Sequence, residues 1–127
     1  MTFVNLEEKA VTLLSSTTVA LNAVAATTLY TVPAGKRCVL DGAMLIAGAD
    51  ASNSAVTIGQ VGALTDFLST QTLTGVNAQY DAVYLQPVPN ATPVIRKSYA
   101  AGTVIQMDVT TGAGGATNIV MLYGTLY

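Results

Sequence analysis

Residues 27–47 constrain the fold most, because two β-rich runs flank one tight turn there. Leu29, Tyr30 and Val32 lead in. Pro33-Ala34-Gly35 can reverse the chain, since proline fixes φ at about −65° and glycine accepts the positive φ of a type II turn. Lys36 and Arg37 open a second, longer strand expected over 36–47. Strict alternation puts Cys38, Leu40, Met44 and Ile46 on one face with Gly42 between them, and Arg37, Val39, Asp41, Ala43 and Leu45 on the other. One face is apolar and the other mixed, as in a strand with a core on one side only.

The rest of the chain repeats this grammar of short strands and turns. Residues 1–26 read as an N-terminal arm. A short helix over 6–10, capped by Asn5 with Glu8 three residues on, competes there with extended chain at Val11–Leu14 and Thr17–Val19. Residues 48–54 carry loop chemistry, 55–59 alternate as a strand, and Gly75-Val76-Asn77 turns the chain. Leu64–Ser69 suggests one short helical turn near 64–70, with Thr65 as cap and Asp66 in the first turn. In 80–86, Val83 and Leu85 share one face, and Tyr80, Ala82 and Tyr84 the other. Pro87, Pro89 and Pro93 confine 87–93 to a loop or sheet edge. Val94–Tyr99 reads as a strand. Residues 103–110 alternate with Ile105, Met107 and Val109 inward, and 112–116 form a glycine-rich loop. The last strand, 118–127, is apolar on both faces: Val120, Leu122 and Leu126 point one way, Ile119, Met121, Tyr123 and Tyr127 the other. A strand wanted by two apolar environments has a core on one side and a partner on the other. These signals give an all-β, jelly-roll-like antiparallel sandwich of about eight strands at 27–127, preceded by the arm at 1–26.

Composition matters for what surrounds such a sandwich. Hydrophobic residues make up 51% of the 127 and charged residues only 9%. An ordinary soluble chain carries roughly 25% charged residues. A folded monomer of this size exposes about 6,000 Å², and five basic plus seven acidic side chains cover little of it. Small soluble domains avoid large bare apolar patches, so much of this surface is expected to be covered by other subunits. A net charge of −2 offers no footprint for nucleic acid. No apolar run reaches the ~18 residues of a membrane helix, and Glu7 and Glu8 stand where a secretory signal would be basic.

Catalysis lacks its usual tools. There is no histidine, no nucleophile or phosphate-loop motif, and Asp41, Asp50, Asp66, Asp81 and Asp108 lie on separate segments. Asp50 and Asn53 do not match a calcium loop. The single Cys38 cannot form an internal disulfide and reads as a small buried hydrophobe. No catalytic, cofactor or metal residues are expected.

Three segments resemble small structural proteins of tailed bacteriophages: Leu29-Tyr30-Thr31-Val32-Pro33-Ala34-Gly35-Lys36, Tyr99-Ala100-Ala101-Gly102-Thr103-Val104-Ile105 and Val120-Met121-Leu122-Tyr123-Gly124-Thr125-Leu126-Tyr127. The pattern is similar to that of jelly-roll decoration, or cement, proteins of phage heads, and related sandwiches occur in neck, tail and fibre parts. The resemblance implies a virion protein on the outer capsid surface, made in the host cytoplasm. It also implies a homo-oligomer, a trimer, with the major capsid protein as partner and neither nucleic acid nor membrane. The candidate subunit or capsid contacts are Glu7, Glu8, Leu13, Tyr80, Tyr84, Arg96, Lys97, Ile119, Met121, Tyr123 and Tyr127. A second reading makes the chain a fibre or head-surface module that binds host glycans through Tyr80, Tyr84 or Tyr99. A third makes it a neck or tail component.

Overall fold

The computed structural model describes residues 10–88 and 91–127. The expected short helix at 6–10, Glu7 and Glu8 therefore lie outside the described residues, apart from Ala10. Among the described residues, nine strands form two antiparallel sheets: β1 Thr12–Val19, β2 Ala25–Thr31, β3 Cys38–Ile46, β4 Ala55–Gln60, β5 Ala63–Thr72, β6 Ala82–Leu85, β7 Ser98–Tyr99, β8 Val104–Thr111 and β9 Asn118–Leu126. One sheet runs β1-β9-β3-β6, with β7 also on β3; the other runs β2-β8-β4-β5. Strands from the first half pair with partners from the second in nested order: β1 with β9, β2 with β8, β3 with β6 and β7, β4 with β5. That is a long hairpin folded over into two layers, the jelly-roll plan. Strand β1, within the stretch 1–26, adds to the edge of the first sheet beside β9.

The core lies between the sheets. Ile105, Met107 and Val109 of β8 and Val120 and Leu122 of β9 are fully buried, as their alternation requires. The turn at 33–35 closes with Lys36 N donating to Pro33 O, and Gly35 holds φ at +75°, the left-handed position that its type II turn needs.

Three local expectations are corrected. First, residues 63–72 are strand β5 and not a helical turn. One helical turn closes a single hydrogen bond at high entropic cost, whereas the extended form pairs along β4. Second, strict alternation fails in β3. The register slips between Leu40 and Gly42, leaving Asp41 as the extra residue of a bulge. Beyond it Ala43 and Leu45 face the core, and Met44 and Ile46 turn outward to partial exposure. Third, only Ser98–Tyr99 of the expected strand 94–99 pairs with β3. The carbonyls of Leu40 and Asp41, beside that gap, are taken by the Arg96 guanidinium.

Asn118, buried at the start of β9, ties two loops to the sheets. Its Nδ2 donates to Val19 O and to Gly115 O, both at 2.9 Å, and its Oδ1 accepts from Gly48 N at 3.0 Å. A buried amide with three partners is costly to remove, since each partner left without a bond loses about 1–3 kcal/mol. Asn118→Ala is expected to lower unfolding stability by about 3 kcal/mol. Urea unfolding checks this: the midpoint falls while the slope stays at the wild-type value.

Candidate functional site

The outer side of the first sheet is built from three cross-strand rows. Thr18, Ile119, Ile46 and Ala82 lie across β1, β9, β3 and β6. Ser16, Met121, Met44 and Tyr84 form the next row, and Leu13, Tyr123 and Gly42 the third. None of these side chains is charged, and most are apolar. Leu13 is 51% exposed and Ile119 42%. The outer side of the other sheet contrasts with it. There Gln106 and Asp108 of β8 sit opposite Thr28 and Ala26 of β2, and the Gln106 amide donates to the Thr28 hydroxyl. Two sheets with the same inward rule thus present opposite outer chemistries.

The apolar face is locked at one margin. The Tyr84 and Tyr123 rings stand 6.2 Å apart at a 49° tilt, within the range of favourable aromatic pairs. A Cβ on Gly42 would come within 2.7 Å of the Tyr84 ring, so only glycine lets that ring lie there. The Tyr84 hydroxyl donates to Asp41 Oδ2 at 2.5 Å, and Arg96 Nη1 donates to Leu40 O, Asp41 O and Asp41 Oδ1. Burial first, and then the Asp41 carboxylate, push the Tyr84 hydroxyl up to about 12. It therefore stays protonated and keeps donating at neutral pH.

Asp66 of β5 holds the neighbouring edge. Its carboxylate accepts from Gln60 N and Nε2, from the Tyr99 hydroxyl and from Lys97 Nζ. Burial alone would raise its pKa; the bonds from Gln60, Tyr99 and Lys97 outweigh this and hold it below the ordinary carboxylate range. Burial and the same bond drive the Tyr99 hydroxyl far up.

Of the residues singled out by sequence, Leu13, Tyr84, Ile119, Met121 and Tyr123 meet on this one face. Tyr80, at 77% exposure, stands beside its first row. Tyr127 lies past the end of β9, its backbone bonded both ways to Arg37 and its hydroxyl bonded to Ser98 Oγ. Arg96 and Lys97 are engaged within the chain, by Asp41 and Asp66. Tyr99 is 3% exposed, so it cannot be a sugar platform; its inward position follows from pairing opposite the buried Cys38. Sequence reasoning missed Met44 and Ile46, because the bulge at Asp41 leaves no mark in a strict period of two. Cys38 is buried, and burial pushes its thiol up to about 11, as for an unreactive core cysteine. No group of three His, Cys, Asp or Glu stands together among the described residues.

No family model matches the chain, and no curated protein does. Among solved structures, the fold is similar to a chain of the "Cyanophage Pam1 capsid asymmetric unit", with a TM-score of 0.51 and 17% identity over 91% of this chain and 84% of that one. At that identity the likeness is one of fold.

The lowered pKa of Asp66 gives a signed expectation. Its contribution is fully present above the ordinary value of 3.8 and is lost as pH falls through its lower folded value. Asp66→Asn is expected to lower the melting temperature at neutral pH, with the gap to wild type closing below about pH 4. Thermal scans from neutral to acid pH check this.

Proposed function

We propose that this chain is a structural protein of a tailed-phage virion, a capsid decoration protein that binds the outside of the assembled head. In this reading it acts as a homo-oligomer, a trimer, and its other partner is the major capsid protein. The observation that carries the reading is the outer face of the β1-β9-β3-β6 sheet, whose three cross-strand rows hold no charged side chain. A lone soluble domain has no use for a broad, largely apolar sheet face in water, whereas a shell component does. The sandwich resembles a chain from a phage capsid, and the turn and strand motifs point the same way. The chain's scarcity of charge fits a surface that is largely covered once assembly is complete.

The mechanism is mass action. A protein that binds the closed shell and not its loosened form stabilises the shell by RT ln(1 + [L]/Kd), about 2.7 kcal/mol at a hundredfold excess over Kd. The outer face gives this protein its neighbours, and no chemical step is needed.

Heads lacking the protein are expected to release their genome at lower temperature than heads carrying it, and added protein restores the difference. Equal heat tolerance of the two removes the cement role. Met121→Asp puts a charge in the middle row of the face. It is expected to keep the wild-type melting temperature of the single chain but to run as a monomer where wild type runs as an oligomer, as read by light scattering after size exclusion.

A further inference from the structure

Three of the four methionines lie among the described residues, and two of those stand side by side on the outer face of the first sheet. Met44 of β3 and Met121 of β9 are directly opposed in register, each half-buried, in the row that also holds Ser16 and Tyr84. Directly opposed side chains start about 4.5–5.5 Å apart at Cβ, so the two thioethers are neighbours. Met107 is fully buried in the core. Cys38 is buried too, and burial pushes its thiol up to about 11, so it offers no thiolate to an oxidant. Among the described residues, the sulfurs that solvent reaches are therefore those of this pair.

The two sulfurs differ in their surroundings. The Tyr123 hydroxyl donates to Met121 Sδ at 4.0 Å. A thioether is a weak acceptor, but an oxygen added to that sulfur meets a donor already in place. Met44 has Tyr84 opposite it in the row, and the Tyr84 hydroxyl is given to Asp41 Oδ2. An oxygen on Met44 therefore relies on water.

We infer that the Met44–Met121 pair is an oxidation site that turns this face from apolar to polar and so takes the chain out of its assembly. The inference rests on the assembly proposed above. The oxidant is a hydroperoxide. In each step an S–O bond forms and the peroxide O–O bond breaks; sulfur is oxidised, and the proton of the transferred oxygen leaves with the departing hydroxide as water. The product is methionine sulfoxide, polar where the thioether was apolar, and it is reversible by sulfoxide reductases. On the single chain both oxygens point outward to water, so the fold is kept. On a covered face the Met44 oxygen loses its water and gains no donor, and a polar group buried that way opposes association.

The test treats the full chain with hydrogen peroxide and locates the added oxygens by peptide mass spectrometry. Sedimentation velocity over a concentration series and melting temperature are read in parallel. Met44 and Met121 are expected to take one oxygen each while Met107 takes none. The oxidised chain is expected to melt as wild type does and to associate at least about tenfold more weakly. Repair with methionine sulfoxide reductases is expected to restore association, a readout that needs no variant. Met44→Leu is expected to associate as wild type and to lose most of its sensitivity to peroxide, whereas Met121→Leu keeps most of it. Oxygen on Met107 before the pair, or association that survives oxidation of both Met44 and Met121, overturns the inference and leaves the assembly reading standing. So does association that stays lost after repair, or a Met44→Leu chain as sensitive as wild type. A wild-type chain that stays single at every concentration overturns both.

Discussion

The extra residue at Asp41 in β3 is the constraint on which the two faces of the first sheet depend. Before it, Cys38 and Leu40 point into the core; after it, Ala43 and Leu45 do. Because side chains alternate with a period of two, losing that residue would send Ala43 and Leu45 outward and Met44 and Ile46 inward. The bulge is fixed from outside the strand. Tyr84 donates to the Asp41 carboxylate, and Arg96 covers the Leu40 and Asp41 carbonyls. Gly42 leaves room for the Tyr84 ring. The proline-bearing stretch between β6 and β7 therefore does more than connect: it delivers the guanidinium that satisfies the carbonyls at the bulge.

From that register follows the chemistry of the surface. Each β3 row meets a β9 row whose outer side chains are Ile119, Met121 and Tyr123, so uncharged side chains line the middle of the sheet, with Ser16 and Thr18 of β1 on one side and Ala82 and Tyr84 of β6 on the other. The second sheet, with the same alternation, turns Gln106, Asp108 and Thr28 outward. The jelly-roll plan closes the inner space in both sheets alike; it is the outer residues that separate a face suited to water from one suited to protein. The likeness to a phage-capsid chain is one of fold; the assembly proposed for this chain rests on the outer face of its first sheet.

Much of this was legible in the sequence, for physical reasons. Ile105, Met107 and Val109 announced an inward stripe because period-two alternation is unambiguous when the intervening residues are polar. The two apolar sides of β9 announced a core on one side and an apolar exterior on the other. The turn at Pro33-Ala34-Gly35 followed from the conformations that proline and glycine allow. Bulges were not legible, because an inserted residue looks like any other, and so a strict period of two puts Met44 and Ile46 on the wrong side. The 63–72 stretch misled because Thr65 and Asp66 suit a helix start. Asp66 instead serves as a long-range acceptor for Tyr99 and Lys97, partners that no local pattern could supply. Asn118 likewise gave no warning: its role depends on Val19, Gly48 and Gly115 meeting in space.

The central claim is that the outer face of the β1-β9-β3-β6 sheet is covered when the protein assembles. Oxidative footprinting of the methionines tests it most directly, since Met44 and Met121 lie on that face and Met107 is fully buried in the core. The account predicts that Met44 and Met121 oxidise freely on the dilute single chain and become protected in the assembled form, with Met107 protected in both. Equal oxidation of Met44 and Met121 in the two states would contradict it.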